Sequence, residues 1–333
     1  MILTLSRGTD LFLLAVAFLA SASLTIAADP PSLSETRIVS TIDGTEQPIR
    51  FWAPDTATEQ STPVLVSLHT WSSDYTQDRS EWSHEAFKRG WIYLQPNFRG
   101  ANDHPEACGS TLAKQDILDA LDWAIAKYQV DPQRIYLSGV SGGGHMSLLM
   151  AARHPERFSA VSAWVGITDL TKWYEFHTKD GEPGRYAQMV AASCGGPPGT
   201  SEAVDWQYHD RSSIHFLQNA VGLPLDINAG VKDGKTGSVP IHHSLRAFNV
   251  VAQADGHPTI PEATMDELWE QGRLASPQPS DEAKDPTYEK AVLLRRTAGA
   301  ARVTIFDGGH EALPEAACAW LSHQSRLATL PSH

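Results

Sequence analysis

Ser141 stands at the centre of Gly139-Val140-Ser141-Gly142-Gly143, a G-x-S-x-G pattern. A β-forming run at 135–137 arrives at it, and Met146, Leu149, Met150 and Phe158 carry an apolar pattern away from it. Strand, sharp turn and helix in that order suit a nucleophile elbow, which lifts a serine hydroxyl clear of a sheet edge. The glycines let backbone approach backbone where a Cβ would collide. A helix starting at the serine also points free N–H groups and a positive dipole end at negative charge developing there. A serine in a Gly-rich turn can equally be a plain strand-to-helix loop; here the flanking patterns decide for the elbow.

A serine hydroxyl is a weak nucleophile until a base takes its proton, and that base must itself be oriented. With a serine on such an elbow, the acid and then the histidine follow further along the chain. Phe306-Asp307-Gly308-Gly309-His310-Glu311 follows the last strand pattern, at 302–306. It places His310, one of 14 histidines, in a Gly-rich loop at a strand end, the position expected of the base. Asp233 lies just beyond a strand pattern at 225–229 and is the expected acid, whereas Asp226 falls inside that strand and reads as structural. Two backbone N–H groups should face the developing oxyanion. Gly142 is positioned to supply one. The loop after a strand at 64–68, His69-Thr70-Trp71-Ser72, is positioned to supply the other, from Trp71 or else Thr70.

The elements that must hold these residues alternate along the chain. Strand patterns at 37–40 and 47–52 flank Asp43-Gly44, a hairpin signal. Strands at 64–68, 91–94, 135–137, 160–165, 225–229 and 302–306 are separated by helical patterns at 82–89, 116–127, 243–251 and 314–325. Such alternation implies parallel strand-helix-strand units and a sheet covered by helices. Catalytic groups then gather at the C-terminal strand ends. Two stretches break the rhythm, 167–220 and 254–290, the second with one helical pattern at 263–271; both are expected as irregular loops or a cap over that edge. Within the first, Trp173 and Tyr174 could line a substrate subsite or pack the cap.

The 333 residues carry a formal net charge of −13, which argues against a broad basic surface for nucleic acid or anionic lipid. Residues 1–28 read as a signal peptide: Arg7, the apolar stretch 11–20, then small residues at Ala27 and Ala28. The apolar stretch is short for a spanning helix, which favours cleavage over an uncleaved anchor. A secreted or periplasmic protein with no stable membrane insertion is therefore expected, with residues 29–333 as one catalytic domain. Export permits disulfides. Of Cys108, Cys194 and Cys318, the first two lie in loop-like sequence and are expected to bridge, although three pairings are formally open. His242-His243 suggests a metal only superficially, because adjacent residues on a helix face different ways and no third ligand has suitable spacing.

The run Val130-Asp131-Pro132-Gln133-Arg134-Ile135 continuing through Ser141 to His145 resembles the elbow of α/β-hydrolases of the prolyl oligopeptidase class. Gly230-x-x-Asp233 followed by Val239-Pro240 and Ser244 resembles that class's acid loop, and Gly309-His310-Glu311 its histidine loop. The resemblance covers about residues 60–325. It implies an α/β-hydrolase fold, a mostly parallel central sheet with helices on both faces and irregular cap loops, and a Ser141–Asp233–His310 triad that needs no metal or organic cofactor. Three departures stand out. Only about thirty residues separate the signal segment from the first core strand, where such peptidases usually carry a β-propeller; Lys235-Thr236-Gly237-Ser238 lengthens the acid loop; and His69-Thr70-Trp71 replaces the commoner His-Gly-x. The last of these resembles secreted esterases (acetyl xylan and feruloyl esterases, polyester depolymerases) as much as peptidases. The expected activity is hydrolysis of small-molecule or polymer-linked carboxylic esters. A peptidase acting on short peptides is the alternative, and a silent binding protein of the same fold a remote one.

Overall fold

The computed structural model describes residues 32–326, so the signal segment lies outside the described residues. β1 (Ser34–Val39) and β2 (Glu46–Trp52) form the expected antiparallel hairpin. β3 (Thr62–Leu68) is buried along its whole length, as its unbroken apolar run requires, and leads through α1 (Ser80–Lys88) to β4 (Ile92–Pro96). α2 (Thr111–Lys127) begins before its apolar periodicity does, because the Ser110 hydroxyl caps it by accepting the Ala113 N–H at 3.0 Å. β5 (Val130–Val140), α3 (Gly142–Arg153) and β6 (Ala160–Trp164) build the elbow and its support.

The stretch 167–220 is more regular than its Gly- and Pro-rich sequence suggests. It holds α4 (Leu170–Phe176), the short hairpin strands β7 (Thr178–Lys179) and β8 (Glu182–Pro183), α5 (Arg185–Cys194) and α6 (Glu202–Asp210). Its apolar residues Leu170, Trp173, Val190, Val204 and Tyr208 close around Trp71 as a second core cluster. Then follow β9 (Leu225–Gly230), α7 (His242–Ala254), α8 (Glu262–Gln271), β10 (Val292–Ala298), β11 (Ala301–Phe306) and α9 (Pro314–Ser322). β10 has no counterpart in the periodicity reading. It is an edge strand carrying Arg295 and Arg296, and such charges blunt a sheet edge while hiding the strand's apolar signal.

Nine strands form one sheet in the order β1-β2-β4-β3-β5-β6-β9-β11-β10. Its centre, from β4 to β11, is parallel, and antiparallel pairings occur only towards the two edges. Neighbouring residues of one strand point to opposite faces. Gly139 packs against the Gly143 backbone of α3, while Val140 lines a cavity with residues of α1 and α9, so helices cover both faces. This is the α/β-hydrolase architecture. Among the described residues no helix is long and apolar enough to cross a membrane.

The expected Cys108–Cys194 bridge is not formed: both are free thiols buried in the second core cluster, and Cys318 is a third buried thiol. The loop that a bridge would tether is held by Arg211 instead. Its guanidinium donates to the carbonyls of Ala107 at 2.7 Å and Pro105 at 2.8 Å, and Asn102 accepts the Cys108 N–H at 2.7 Å. Burial pushes the Cys108 thiol up to about 11, which leaves it inert as a nucleophile at neutral pH.

Candidate active site

β5 ends at Val140 and α3 begins at Gly142, so Ser141 alone makes the turn. It does so with φ 58° and ψ −116°, a conformation that non-glycine residues seldom adopt and that active sites retain at a cost. The Ser141 N–H donates to the Trp164 carbonyl at 2.9 Å, tying the elbow to the end of β6. Ser141 is nearly buried, with 7% of its surface exposed.

Asp233 and His310 come together from loops 77 residues apart. His310 Nδ1 lies 2.8 Å from Asp233 Oδ2, and Asp233 is wholly buried. The other carboxylate oxygen accepts the N–H groups of Gly234 at 2.8 Å and Val239 at 3.1 Å, so the acid is fixed from two sides. A carboxylate on Nδ1 keeps the proton there and turns the Nε2 lone pair outwards. Ser141 Oγ makes no hydrogen bond to that nitrogen; its polar neighbour is Ser238 Oγ at 3.4 Å. Hydrogen bonds between nucleophile and base often tighten only in the substrate complex.

The loop after β3 packs against the elbow at Gly142. A Cβ on Gly142 would collide with the Trp71 backbone nitrogen, so only glycine lets the Trp71 backbone pack this closely on the start of α3. A residue that sequence reasoning missed separates Trp71 from Thr70. Gln77 Oε1 accepts the Thr70 N–H at 2.9 Å, and Gln77 Nε2 donates to Thr70 Oγ1 at 3.1 Å. Thr70 is therefore committed, while the Trp71 N–H has no acceptor among the described residues. Gln77 is itself pinned, since its carbonyl accepts from Gln95 Nε2 at 2.8 Å. No motif marks a glutamine six residues beyond Trp71, and only the folded loop places it there.

Gln77→Ala should therefore loosen this loop without touching the core. If the Trp71 N–H receives an oxyanion, the expected result is a fall in kcat of about 10–100-fold with KM and Tm little changed, since misplacing such a donor costs less than deleting it. Steady-state kinetics beside a thermal melt would check it; a larger rise in KM than fall in kcat would refute it.

The remaining candidates divide clearly. Trp173 does not offer a face to substrate: it is fully buried, and its indole N–H donates to the Ser238 carbonyl at 2.8 Å. Tyr174 is half-buried beside the same cluster, edge-on to Tyr208 with centroids 6.2 Å apart. His145 is sealed under Trp71, bonds the Ile167 carbonyl at 2.9 Å, and is pulled down to about 4 by burial, so it packs as a neutral ring. His242 and His243 diverge, the first 3.2 Å from Asp266 and the second accepting the Thr168 N–H at 3.2 Å. A cavity of about 810 Å³ between α1 and α9 reaches Val140 and Glu311, the residues flanking Ser141 and His310, but Ser141, Asp233 and His310 do not line it.

Known proteins agree with this architecture. Feruloyl esterase B of Neurospora crassa is 43% identical over 118 residues, which is 31% of this chain and 39% of that protein. Acetylxylan esterase A of Emericella nidulans is 26% identical over 115 residues, 31% of this chain and 38% of that protein. The chain thus spans well under half the length of these curated relatives. Among solved structures, the acylaminoacyl peptidase of Pyrococcus horikoshii superposes with a TM-score of 0.59 at 18% identity, covering 87% of this chain and 40% of that one. Residues 78–260, which include Ser141 and Asp233 but stop short of His310, match the prolyl oligopeptidase family. That match takes in more than half of the sequence, and the chain belongs to the prolyl oligopeptidase family.

Proposed function

We propose that the protein is a serine hydrolase that cleaves carboxylic esters, with Ser141 as nucleophile, His310 as general base and Asp233 as its orienting acid. The observation that carries this reading is the 2.8 Å contact between His310 Nδ1 and a buried Asp233, set beside a serine held at positive φ on the elbow. Ser141 Oγ attacks the ester carbonyl as Nε2 takes its proton. The carbonyl oxygen becomes an oxyanion, received by the N–H groups of Gly142 and Trp71. Collapse expels the alkoxide, which takes the proton from Nε2 and leaves as the alcohol. Water then attacks the acyl-serine, giving its proton to Nε2; Ser141 Oγ recovers it as the carboxylic acid departs.

The ester reading is supported by the likeness to a feruloyl esterase and an acetylxylan esterase. Tyr174 stays a candidate wall of the acyl or alcohol subsite. Export rests on the apolar stretch 11–20 and the small residues at Ala27 and Ala28. The family's name keeps the peptidase reading in view. The two are separated by running short-chain aryl esters, a feruloyl ester and an X-Pro aryl amide under identical conditions. Ester turnover without amide cleavage is expected. Preferred amide cleavage would make the protein a peptidase, and no turnover of any of them would sink the hydrolase reading for these substrates.

A further inference from the structure

The lengthened acid loop, Lys235-Thr236-Gly237-Ser238, folds back over the Asp233–His310 pair as a collar. Gly237 lies directly on it: a Cβ there would collide with Asp233 Oδ1 and stand 2.6 Å from His310 Cβ. One residue on, the Ser238 peptide is clamped from α4 outwards. Its carbonyl accepts from Trp173 Nε1 and faces His177 Nε2, each at 2.8 Å, and Val239 N–H closes the loop onto Asp233. With its backbone held on both sides, Ser238 presents its hydroxyl to His310 Nε2 at 3.4 Å, the nitrogen that must accept the proton of Ser141. Three side chains and two backbone groups thus fix a hydroxyl on the reactive atom of the base.

We propose that Ser238 is a positioning residue for His310, stabilising the imidazolium that forms when Ser141 gives up its proton. The inference rests on the reading of His310 as general base. A hydroxyl can donate to the neutral Nε2 lone pair and, after rotation, accept from Nε2–H. The second bond is charge-assisted, therefore shorter and stronger, and a contact of 3.4 Å has room to tighten. Ser238 thereby favours the protonated ring over the neutral one and holds its plane between Ser141 and the leaving oxygen. It forms no covalent bond, and the proton passes from Ser141 to the leaving alkoxide as before.

The other groups around His310 leave this effect readable. Asp233 faces Nδ1 and stabilises the imidazolium in every variant considered. Glu311, on the same loop, is paired with Lys290 at 2.7 Å, and Lys232 with Asp307 at 2.7 Å, so their charges compensate locally. His177 lies behind the Ser238 carbonyl, and its partial burial holds it towards the neutral form.

The test is the titration of His310 by ¹⁵N-histidine NMR in the full chain, assigned with His310→Gln and repeated in Ser238→Ala, Ser238→Gly and Ser238→Thr. Loss of the hydroxyl should lower the His310 midpoint by about half to one pH unit, and Ser238→Thr should restore it. The acidic limb of kcat/KM for an aryl ester should move down by the same amount. An unchanged midpoint in Ser238→Ala and Ser238→Gly, or a threonine variant that falls as far as they do, would overturn the proposal. Because the titration needs no substrate, absent ester turnover would defeat the esterase reading while leaving the role of Ser238 decided. Ser238→Gly serves where Ser238→Ala lowers Tm.

Discussion

Ser141→Ala should abolish ester turnover, lowering kcat by about 10⁵–10⁶-fold, the scale seen when the nucleophile of a cooperating triad is removed. The fold should not notice. Ser141 Oγ makes no hydrogen bond to His310, the backbone bond to Trp164 remains, and alanine occupies the same φ of 58° at similar strain. Ser141→Gly provides the complementary measurement. Removing the Cβ relieves the left-handed conformation and should raise stability by about 1 kcal/mol while turnover stays lost. A stability gain of Ser141→Gly over Ser141→Ala would measure the strain that the elbow stores at this φ. The pair is checked by ester kinetics, covalent labelling with a fluorophosphonate and denaturant unfolding. Residual turnover above about a thousandth of wild type in Ser141→Ala would remove this serine from the reaction.

Asp233→Asn should cost about 10⁴-fold in kcat with an unchanged fold, and the local hydrogen bonds dictate why. Oδ1 accepts two backbone N–H groups, from Gly234 and Val239. An asparagine must keep its carbonyl oxygen there, because turning the amide over would set donors against donors. Its NH₂ group is then forced towards His310 Nδ1. That nitrogen has to accept, the proton moves to Nε2, and the base faces Ser141 with an N–H instead of a lone pair. The expected picture is a protein with normal Tm and a histidine in the opposite tautomer, visible in its ¹⁵N shifts. Retention of more than a tenth of wild-type kcat would show that Asp233 does not orient the base.

The sheet's parallel core was legible because buried central strands are written as short unbroken apolar runs, such as 64–68, and helices as a different period. β10 was not legible, since an edge strand with two arginines satisfies neither pattern. The stretch 167–220 looked irregular because its turns are rich in glycine and proline. Its helices are specified by what they bury together with Trp71, a contact between residues about a hundred positions apart. The Cys108–Cys194 expectation failed for a related reason: loop character says that two cysteines are free to meet, but Arg211 already does the tethering.

At the site, the sequence by itself determined the elbow, because glycines at 139, 142 and 143 are required by close backbone contacts that no other residue permits. Chain order and strand ends also pointed to Asp233 and His310. Only the tertiary structure decided what surrounds them. Gln77 claims Thr70 and leaves Trp71 free, Trp173 turns inwards to brace Ser238, and Ser238 meets Nε2 of His310. The first is fixed by the fold of a single loop, and the other two are directional contacts between segments 65 and 72 residues apart in sequence. Periodicity and spacing report which way a residue faces within its own element, and a bond between elements exists only once the sheet has set them side by side.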